Sequence, residues 1–327
     1  MIRAAWVTLK LHRIELLVAI TVALVTALWA VWVEVRAAGV ARPDANCISI
    51  WMTVGPDVAG AACDGPMRAW GTILVQAGDN YRILTEFLPF VVGALVGVPI
   101  VAGEIEARTA GIAWSLSPSR TRWLMRQLTP IALVTGLAIA MAGLAAEAYE
   151  HDYETWSGGF RDVIHIGHYG YGLLARTLGV FGIGVGIGSL IGRQLPAFLI
   201  AVFLGLGFLT GLAGVRDAWF ASHETHVLGG EYGVPTGWAY RAPDGTFLTR
   251  EAATALAPPE IVALDVGQIQ PMNVTTWLEE RGYTEVSVGI SIDVAMGWAP
   301  LEAGAYVLLG VGSIGVAVWL VNRRRPA

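Results

Sequence analysis

The chain has 327 residues, of which 55% are hydrophobic and only 14% are charged. Soluble domains carry roughly a quarter charged residues, so this composition points to a protein that lies in lipid. The formal net charge of −5 argues against a nucleic-acid partner.

The apolar stretches are the main structural signal, because a helix needs about 20 apolar residues to cross the hydrocarbon core. They predict an all-α polytopic membrane protein with six transmembrane helices, at residues 14–36, 83–103, 128–147, 173–192, 195–215 and 301–322. A cleaved signal peptide has a shorter apolar region of about 7–15 residues, so the first stretch is interpreted as an uncleaved anchor.

The basic residues predict the orientation. With the N-terminus in the cytoplasm, the short cytoplasmic segments 1–13, 104–127 and 323–327 contain many arginines and few acids, as the positive-inside rule requires. Lys10 is the only lysine, and the arginine bias suggests a GC-rich bacterial genome. We therefore expect a multi-pass protein of the bacterial plasma membrane with both termini cytoplasmic.

The segments between the spans differ in character. In segment 1–13, Ile2, Trp6 and Leu9 recur at helical spacing beside basic residues, which predicts an interfacial helix. Segments 37–82 and 148–172 are outer loops. Segment 216–300 is long enough for a small extracytoplasmic α/β insertion between helices 5 and 6, with a hairpin turning near residues 243–245 and a strand at 283–293.

Both cysteines, Cys47 and Cys63, lie in the first outer loop. An oxidising compartment favours a disulfide between them, which the chain-entropy model values at about 3 kcal/mol. Two free thiols are the alternative.

Glycines inside the spans are interpreted as packing positions, because pairs of small residues four apart let helices approach closely in lipid. The predicted packing glycines are Gly182, Gly184, Gly186, Gly188, Gly207 and Gly211. A phosphate-binding loop is excluded, since such a loop needs a lysine after its glycines and Lys10 has none nearby.

No catalytic or metal site is predicted. The pairs His165/His168 and His223/His226 lack further ligands at a recognised spacing, and loop histidines are the favoured interpretation. Ionisable residues such as Arg176 and Glu302 fall near the ends of spans, whereas proton-coupled carriers place such groups at depth.

The cytoplasmic connection 104–127 is the most informative segment. Glu104 and Arg108 are spaced to pair on a helix, and Ser117–Ser119 should break that helix before a second, basic one capped by Ser119 or Thr121. Apolar contacts are expected from Ile105, Ile112, Trp114 and Leu116. An ordinary basic loop between two spans is the alternative.

At this segment the sequence resembles the type-2 ATP-binding-cassette (ABC) permeases, particularly short actinobacterial ones. The family pattern is matched by Ala102-Gly-Glu-Ile-Glu-Ala-Arg-Thr109, then Trp114, then Ser117-Pro-Ser-Arg-Thr-Arg-Trp123. The turn at residues 188–197 and the end of the chain, from Trp298 to its terminal arginines, are also similar.

The resemblance implies a permease subunit of an ATP-driven exporter that docks a separate ATPase subunit. It implies ATPase-coupling roles for Glu104, Glu106, Arg108, Thr109, Trp114, Ser117, Arg120, Arg122 and Trp123. It also implies that ATP and Mg²⁺ bind to the partner and not to this chain, and that a second permease copy completes the pathway among membrane lipids.

Two other functions stay open. The length of segment 216–300 suggests a membrane-anchored sensory or binding protein whose outer domain recognises a ligand or partner. A membrane enzyme that uses the outer-loop histidines would need a bound metal.

Overall fold

The computed structural model describes residues 2–40, 47, 60–73, 77–156, 167–227, 234–259, 261 and 272–324. Within these residues, five helices are long and apolar enough to cross a membrane, and one bent pair of helices adds a sixth candidate span. The protein is therefore a mostly helical, multi-pass membrane protein.

The described helices and strands are numbered here in chain order. They are α1 (Ile2–Leu11), α2 (Arg13–Ala38), α3 (Gly60–Gly71), α4 (Ala77–Gly97), α5 (Pro99–Glu106), α6 (Ala110–Ser115), α7 (Arg120–Trp156), α8 (Gly170–Ile191), α9 (Gln194–Ala221), β1 (Thr225–Val227), β2 (Val234–Arg241), β3 (Phe247–Thr249), α10 (Arg250–Thr254), α11 (Met272–Glu279), β4 (Thr284–Ile290) and α12 (Ile292–Arg323).

The chain divides into two compact units, and the first contains most of the apolar helices. It comprises Met1–Gly159, Ile164–Gly214 and Ala299–Ala327. Helix α8 is the most buried of its candidate spans and packs against α4, α5 and α7, while α2 packs against α7. Helix α9 is the least buried of these spans. The glycine-rich sequence of α8 explains its central position, because a helix with few bulky side chains lets several neighbouring helices approach its backbone closely.

Helices α4 and α5 form the bent pair, with a bend of 40° between them. Pro99 is the first residue of α5, where its missing N–H removes a helical hydrogen bond and its ring disfavours a straight continuation. Just before the bend, Gly97 lies against the backbone of Phe181 so closely that a Cβ there would overlap the Phe181 carbonyl. The span predicted as one continuous helix at residues 83–103 is thus bent near its C-terminal end, just before segment 104–127.

Helix α7 is longer than the span predicted at 128–147. It begins at Arg120 and continues without interruption to Trp156, so the predicted basic helix and the following span are one element. The Ser119 hydroxyl accepts a hydrogen bond from the Arg122 N–H at 3.2 Å and caps its first turn. Pro130 lies almost three turns into α7, where it removes one helical hydrogen bond, and the other hydrogen bonds of this 37-residue helix keep it continuous.

The second unit comprises Phe160–Val163 and Val215–Trp298. Its sheet has the strand order β1-β4-β2-β3, and every neighbouring pair is antiparallel. The β2–β3 hairpin turns through Gly245, which adopts a φ of +88°. The Asp244 carboxylate accepts hydrogen bonds from the Thr246 N–H and hydroxyl, which hold the pKa of Asp244 below its ordinary value. Tyr240 and Leu278 are at the centre of a small core beneath the sheet.

Cys47 and Cys63 form a disulfide, with 5.4 Å between their Cα atoms, and the described residues contain no free cysteine. This pairing is the alternative that the sequence favours over two free thiols.

Candidate functional site

The connection between α5 and α7 is a compact segment built around the short helix α6. Helix α5 ends at Glu106, and Arg108 then takes a φ of +59°, which reverses the chain before α6. The Thr109 hydroxyl donates to the Glu104 carboxylate and ties the beginning of α6 to the last turn of α5. We call residues 104–119 the connecting segment.

Two tryptophans anchor the connecting segment to the helices. Trp114 and Trp123 are each only 6% exposed, belong to the main core cluster, and contact edge to face with 6.2 Å between ring centroids. The Arg120 guanidinium lies 4.9 Å from the Trp114 ring centroid, within reach of a cation–π interaction. Neither indole can contact a partner protein without unpacking, so these two predicted coupling residues hold the segment rather than forming its outer surface.

The outer surface of the segment carries two large apolar side chains. Ile112 is 64% exposed and Leu116 is 80% exposed, and their spacing of four places both on one side of α6. The sequence assigned both to apolar contacts together with Trp114, and nothing in their pattern distinguished the inward residue from the outward ones. We call Ile112 and Leu116 the apolar pair.

Exposed polar residues accompany the apolar pair along the chain. Among the predicted coupling residues, those exposed to solvent are Glu106, Arg108, Thr109 and Arg122. Glu104, Ser117 and Arg120 are half-buried. An apolar centre with a rim of mixed charge is the usual anatomy of a protein–protein contact surface.

Arg120 joins the connecting segment to the end of α12. Its Nη1 donates to the Val321 carbonyl at 2.8 Å and also to the Arg324 carbonyl. The Val321 carbonyl belongs to the last turn of α12, where no intrahelical donor is available and the helix dipole favours a cation, and Arg324 directly follows the helix. The Asn322 amide donates to the Thr121 hydroxyl at 3.1 Å and adds a second link.

Two further contacts connect the same end of the molecule. The Glu106 carboxylate accepts a hydrogen bond from the Gln194 N–H at 2.9 Å, at the first residue of α9. Arg324 donates to the Ser189 carbonyl at 2.7 Å, near the end of α8. The connecting segment is therefore attached directly to α9 through Glu106, and Arg120, which follows the segment at the start of α7, attaches it to α12. Arg324, which follows α12, contacts α8.

His12 lies at the junction of α1 and α2 on this same side. Partial burial lowers the pKa of His12 below its ordinary value, and the nearby Glu15 and Glu104 carboxylates act in the opposite direction. A neutral imidazole is favoured at neutral pH.

The glycines of α8 set its close contacts. A Cβ at Gly182 would overlap the backbone of Gly310 on α12, and one at Gly186 would lie 3.0 Å from the Ser313 carbonyl. Gly184 and Gly188 face the backbone of Val98, with distances of 3.1 and 2.8 Å from a Cβ. Gly182 and Gly188 have no room for a side chain unless the backbone shifts, and Gly184 and Gly186 are tightly packed.

Gly207 and Gly211 on α9 are different. A Cβ at either would meet no atom within 4 Å, so the close packing predicted for these two glycines is not found in the described part of the chain. The spacing of four is shared with the α8 pairs, but at Gly207 and Gly211 no described residue lies in close contact.

Comparison with known proteins gives one family. The family described as ABC-2 membrane transporter related matches residues 45–216, which is more than half of the chain. The chain belongs to this family. The matched range includes the connecting segment and all of α8, whereas no curated protein and no solved structure matches the chain. The protein is thus an ABC-2 type permease, which is a membrane transport component.

A buried ion pair that the sequence did not indicate joins α8 to α12 of the permease. Arg176 of α8 donates through Nε to Glu302 Oε1 of α12 at 2.8 Å, and through Nη2 to the same oxygen. The two side chains are 2% and 8% exposed. A Cβ on Gly167 would overlap the Arg176 guanidinium, so Gly167 makes room for it. Sequence analysis placed both residues near the ends of spans, and a separation of 126 positions gives no local signal that they pair.

The histidines of the permease show no metal-binding arrangement in the described residues, where no group of three or more potential ligands occurs. His168 is buried, and His165 lies outside the described residues. The His223 ring instead stacks on Trp219, with 4.5 Å between ring centroids.

Proposed function

We propose that this chain is the transmembrane subunit of an ATP-driven exporter and that it docks a separate ATPase subunit through the connecting segment. The observation that carries the proposal is the apolar pair, Ile112 and Leu116. Ile112 lies on α6 and Leu116 directly follows it, and both side chains are exposed outside the candidate spans. Burying them against a partner would be favourable by roughly 25 cal/mol per Å² of apolar surface.

The topology proposed from the arginines places this segment in the cytoplasm, where ATP is available. The spans then number six, with the bent α4–α5 pair counted as one, and both termini are cytoplasmic. The unit at residues 215–298 would lie outside the bacterial plasma membrane. ATP and Mg²⁺ would bind to the partner subunit, and a second permease copy would complete the transport pathway.

The contacts of the connecting segment supply a route for coupling. A partner that moves the apolar pair would move a segment held rigidly by Trp114 and Trp123. Arg120 and Glu106 would pass that movement to the ends of α12 and α9, because each makes a charge-assisted hydrogen bond to those helix ends. The movement thus reaches helices in the membrane without requiring the partner to contact them.

The test is purification of the tagged chain in mild detergent from cells that co-express its neighbouring genes, followed by mass spectrometry for a bound ATPase and an ATPase assay. The informative variant is the double substitution Ile112→Ser and Leu116→Ser. Leu256→Ser is the matched control, because Leu256 is also an exposed leucine (49%) but lies in the second unit. We expect the double variant to lose the bound ATPase while Leu256→Ser retains it. Full retention and full ATPase stimulation in the double variant would refute docking at this surface.

A second candidate function is a membrane-anchored sensory or binding protein. It is favoured by the second unit, which has its own sheet and its own core around Tyr240 and Leu278. The same purification distinguishes the two: a receptor of this kind would purify without an ATPase, and the apolar pair would not affect its activity.

A further inference from the structure

Helices α8, α9 and α12 enclose an apolar groove of about 430 Å³. Its walls include Ile187 and Leu190 of α8, Phe203 of α9 and Val316 of α12, and Ser313 contributes the single hydroxyl. Ligand pockets in proteins span roughly 300–1,000 Å³, so the volume suffices for part of a small apolar molecule. The groove lies entirely within the first unit.

A glycine on α9 leaves this space open. Gly207 lines the groove, and a Cβ there would meet no atom within 4 Å. On the opposite wall, Gly186 brings α8 against Ser313 of α12, with 3.0 Å from a Cβ to the Ser313 carbonyl. Close packing of α8 with α12, combined with a missing side chain on α9, therefore produces a slot rather than a filled core.

The groove lies in the half of the spans nearest the arginine-rich end. Leu190 is one residue from the end of α8, and Ile183, the deepest lining residue of α8, is about 12 Å from that end at a rise of 1.5 Å per residue. One leaflet contributes about 15 Å of hydrocarbon, half of the bilayer core. The groove depth thus corresponds to the acyl region of a single leaflet.

Positive charge follows the groove-lining parts of α8 and α12 along the chain, three residues after Leu190 and seven after Val316. Arg193 follows the last turn of α8 and is exposed, and Arg323 in the last turn of α12 is also exposed. The Arg323 guanidinium lies 4.5 Å from the ring centroid of Trp319, which is 50% exposed. A tryptophan beside an arginine at this depth is typical of the membrane–water interface. The Glu106 carboxylate, which accepts a hydrogen bond from the Gln194 N–H, keeps its negative charge, but Arg193, Arg323 and Arg324 outnumber it at this end of the helices.

From the groove and these charges, we propose that the permease binds one anionic phospholipid of the adjacent leaflet. One acyl chain occupies the groove, and the phosphate pairs with Arg193 and Arg323. Charge complementarity favours an anionic lipid over a second copy of the chain as the occupant, because Arg193 and Arg323 are exposed cations beyond the ends of two groove-lining helices. The proposal does not depend on transport or on an ATPase.

The test is native mass spectrometry of the full-length chain, released from bilayers that contain either phosphatidylglycerol or phosphatidylcholine. The groove-filling variant is Gly207→Phe, and Gly211→Phe is its matched control, because both positions have open space on the same helix but only Gly207 lines the groove. A second variant, Arg193→Gln with Arg323→Gln, removes the exposed charges without touching the packed helices.

We expect wild type and Gly211→Phe to retain one phosphatidylglycerol per chain. Gly207→Phe should retain at least about fivefold less phosphatidylglycerol per chain. The arginine variant should lose phosphatidylglycerol by a similar factor. Equal retention by the two phenylalanine variants would overturn the groove as the binding site. Equal retention of the two lipids by wild type would overturn recognition of the phosphate. A changed oligomeric state of Gly207→Phe with unchanged lipid retention would assign the groove to a second copy instead.

Discussion

Replacing Arg176 by methionine removes one half of the buried pair with Glu302. Since the two side chains are 2% and 8% exposed, the remaining carboxylate would be left in an apolar site without its cation. Breaking a buried pair in this way costs about 3–5 kcal/mol, of which most is the desolvation of the remaining charge. We therefore expect Arg176→Met and Glu302→Leu each to lower the free energy of unfolding by that amount.

The double variant is the decisive measurement. With both charges gone, no unpaired group is left and two apolar side chains fill the space, so Arg176→Met with Glu302→Leu should be more stable than either single variant. The assay is reversible unfolding in mixed micelles followed by tryptophan fluorescence. Asp217→Asn is the control, because its pair with Arg216 is exposed and should contribute less than about 1 kcal/mol. Losses that add in the double variant would refute the pairing.

Three other perturbations test the remaining contacts. Gly182→Ala should destabilise the fold by about 1–3 kcal/mol, because the added methyl group overlaps the backbone of α12. Gly211→Ala should be neutral or slightly stabilising, because the space beside Gly211 is open. Equal changes in the unfolding free energies of the two variants would contradict the close packing of α8 on α12. Arg120→Gln should keep the ATPase bound but reduce transport, measured as ATP hydrolysed per substrate moved, and an unchanged ratio would exclude this route. The pKa of His12 is lowered in the folded state, so protonation of His12 favours the unfolded chain, and stability falls as the pH drops below the unfolded pKa of about 6.5. His12→Gln should therefore flatten the dependence of the unfolding free energy on pH below about 6.5. An unaltered slope would contradict this.

The connecting segment shows how far local pattern extends. Its helix break and the cap by Ser119 follow from local side-chain chemistry, and the structure contains both. Which apolar residue points inward is not a local property, because Ile112, Trp114 and Leu116 all suit a helix. The core against α7 buries Trp114 and leaves the other two exposed.

The amino-acid sequence by itself determined that this protein lies in a membrane and where its apolar helices are, because insertion depends on the length and composition of each segment alone. It also determined the family, through a pattern of charged and aromatic residues between two spans. Only the tertiary structure decided which small residues pack and which leave space: Gly186 meets α12, while Gly207 opens a groove. It likewise decided that Arg176 and Glu302 are partners, because the neighbours of a helix in lipid are chosen by shape and charge over the whole fold and leave no mark on the local sequence.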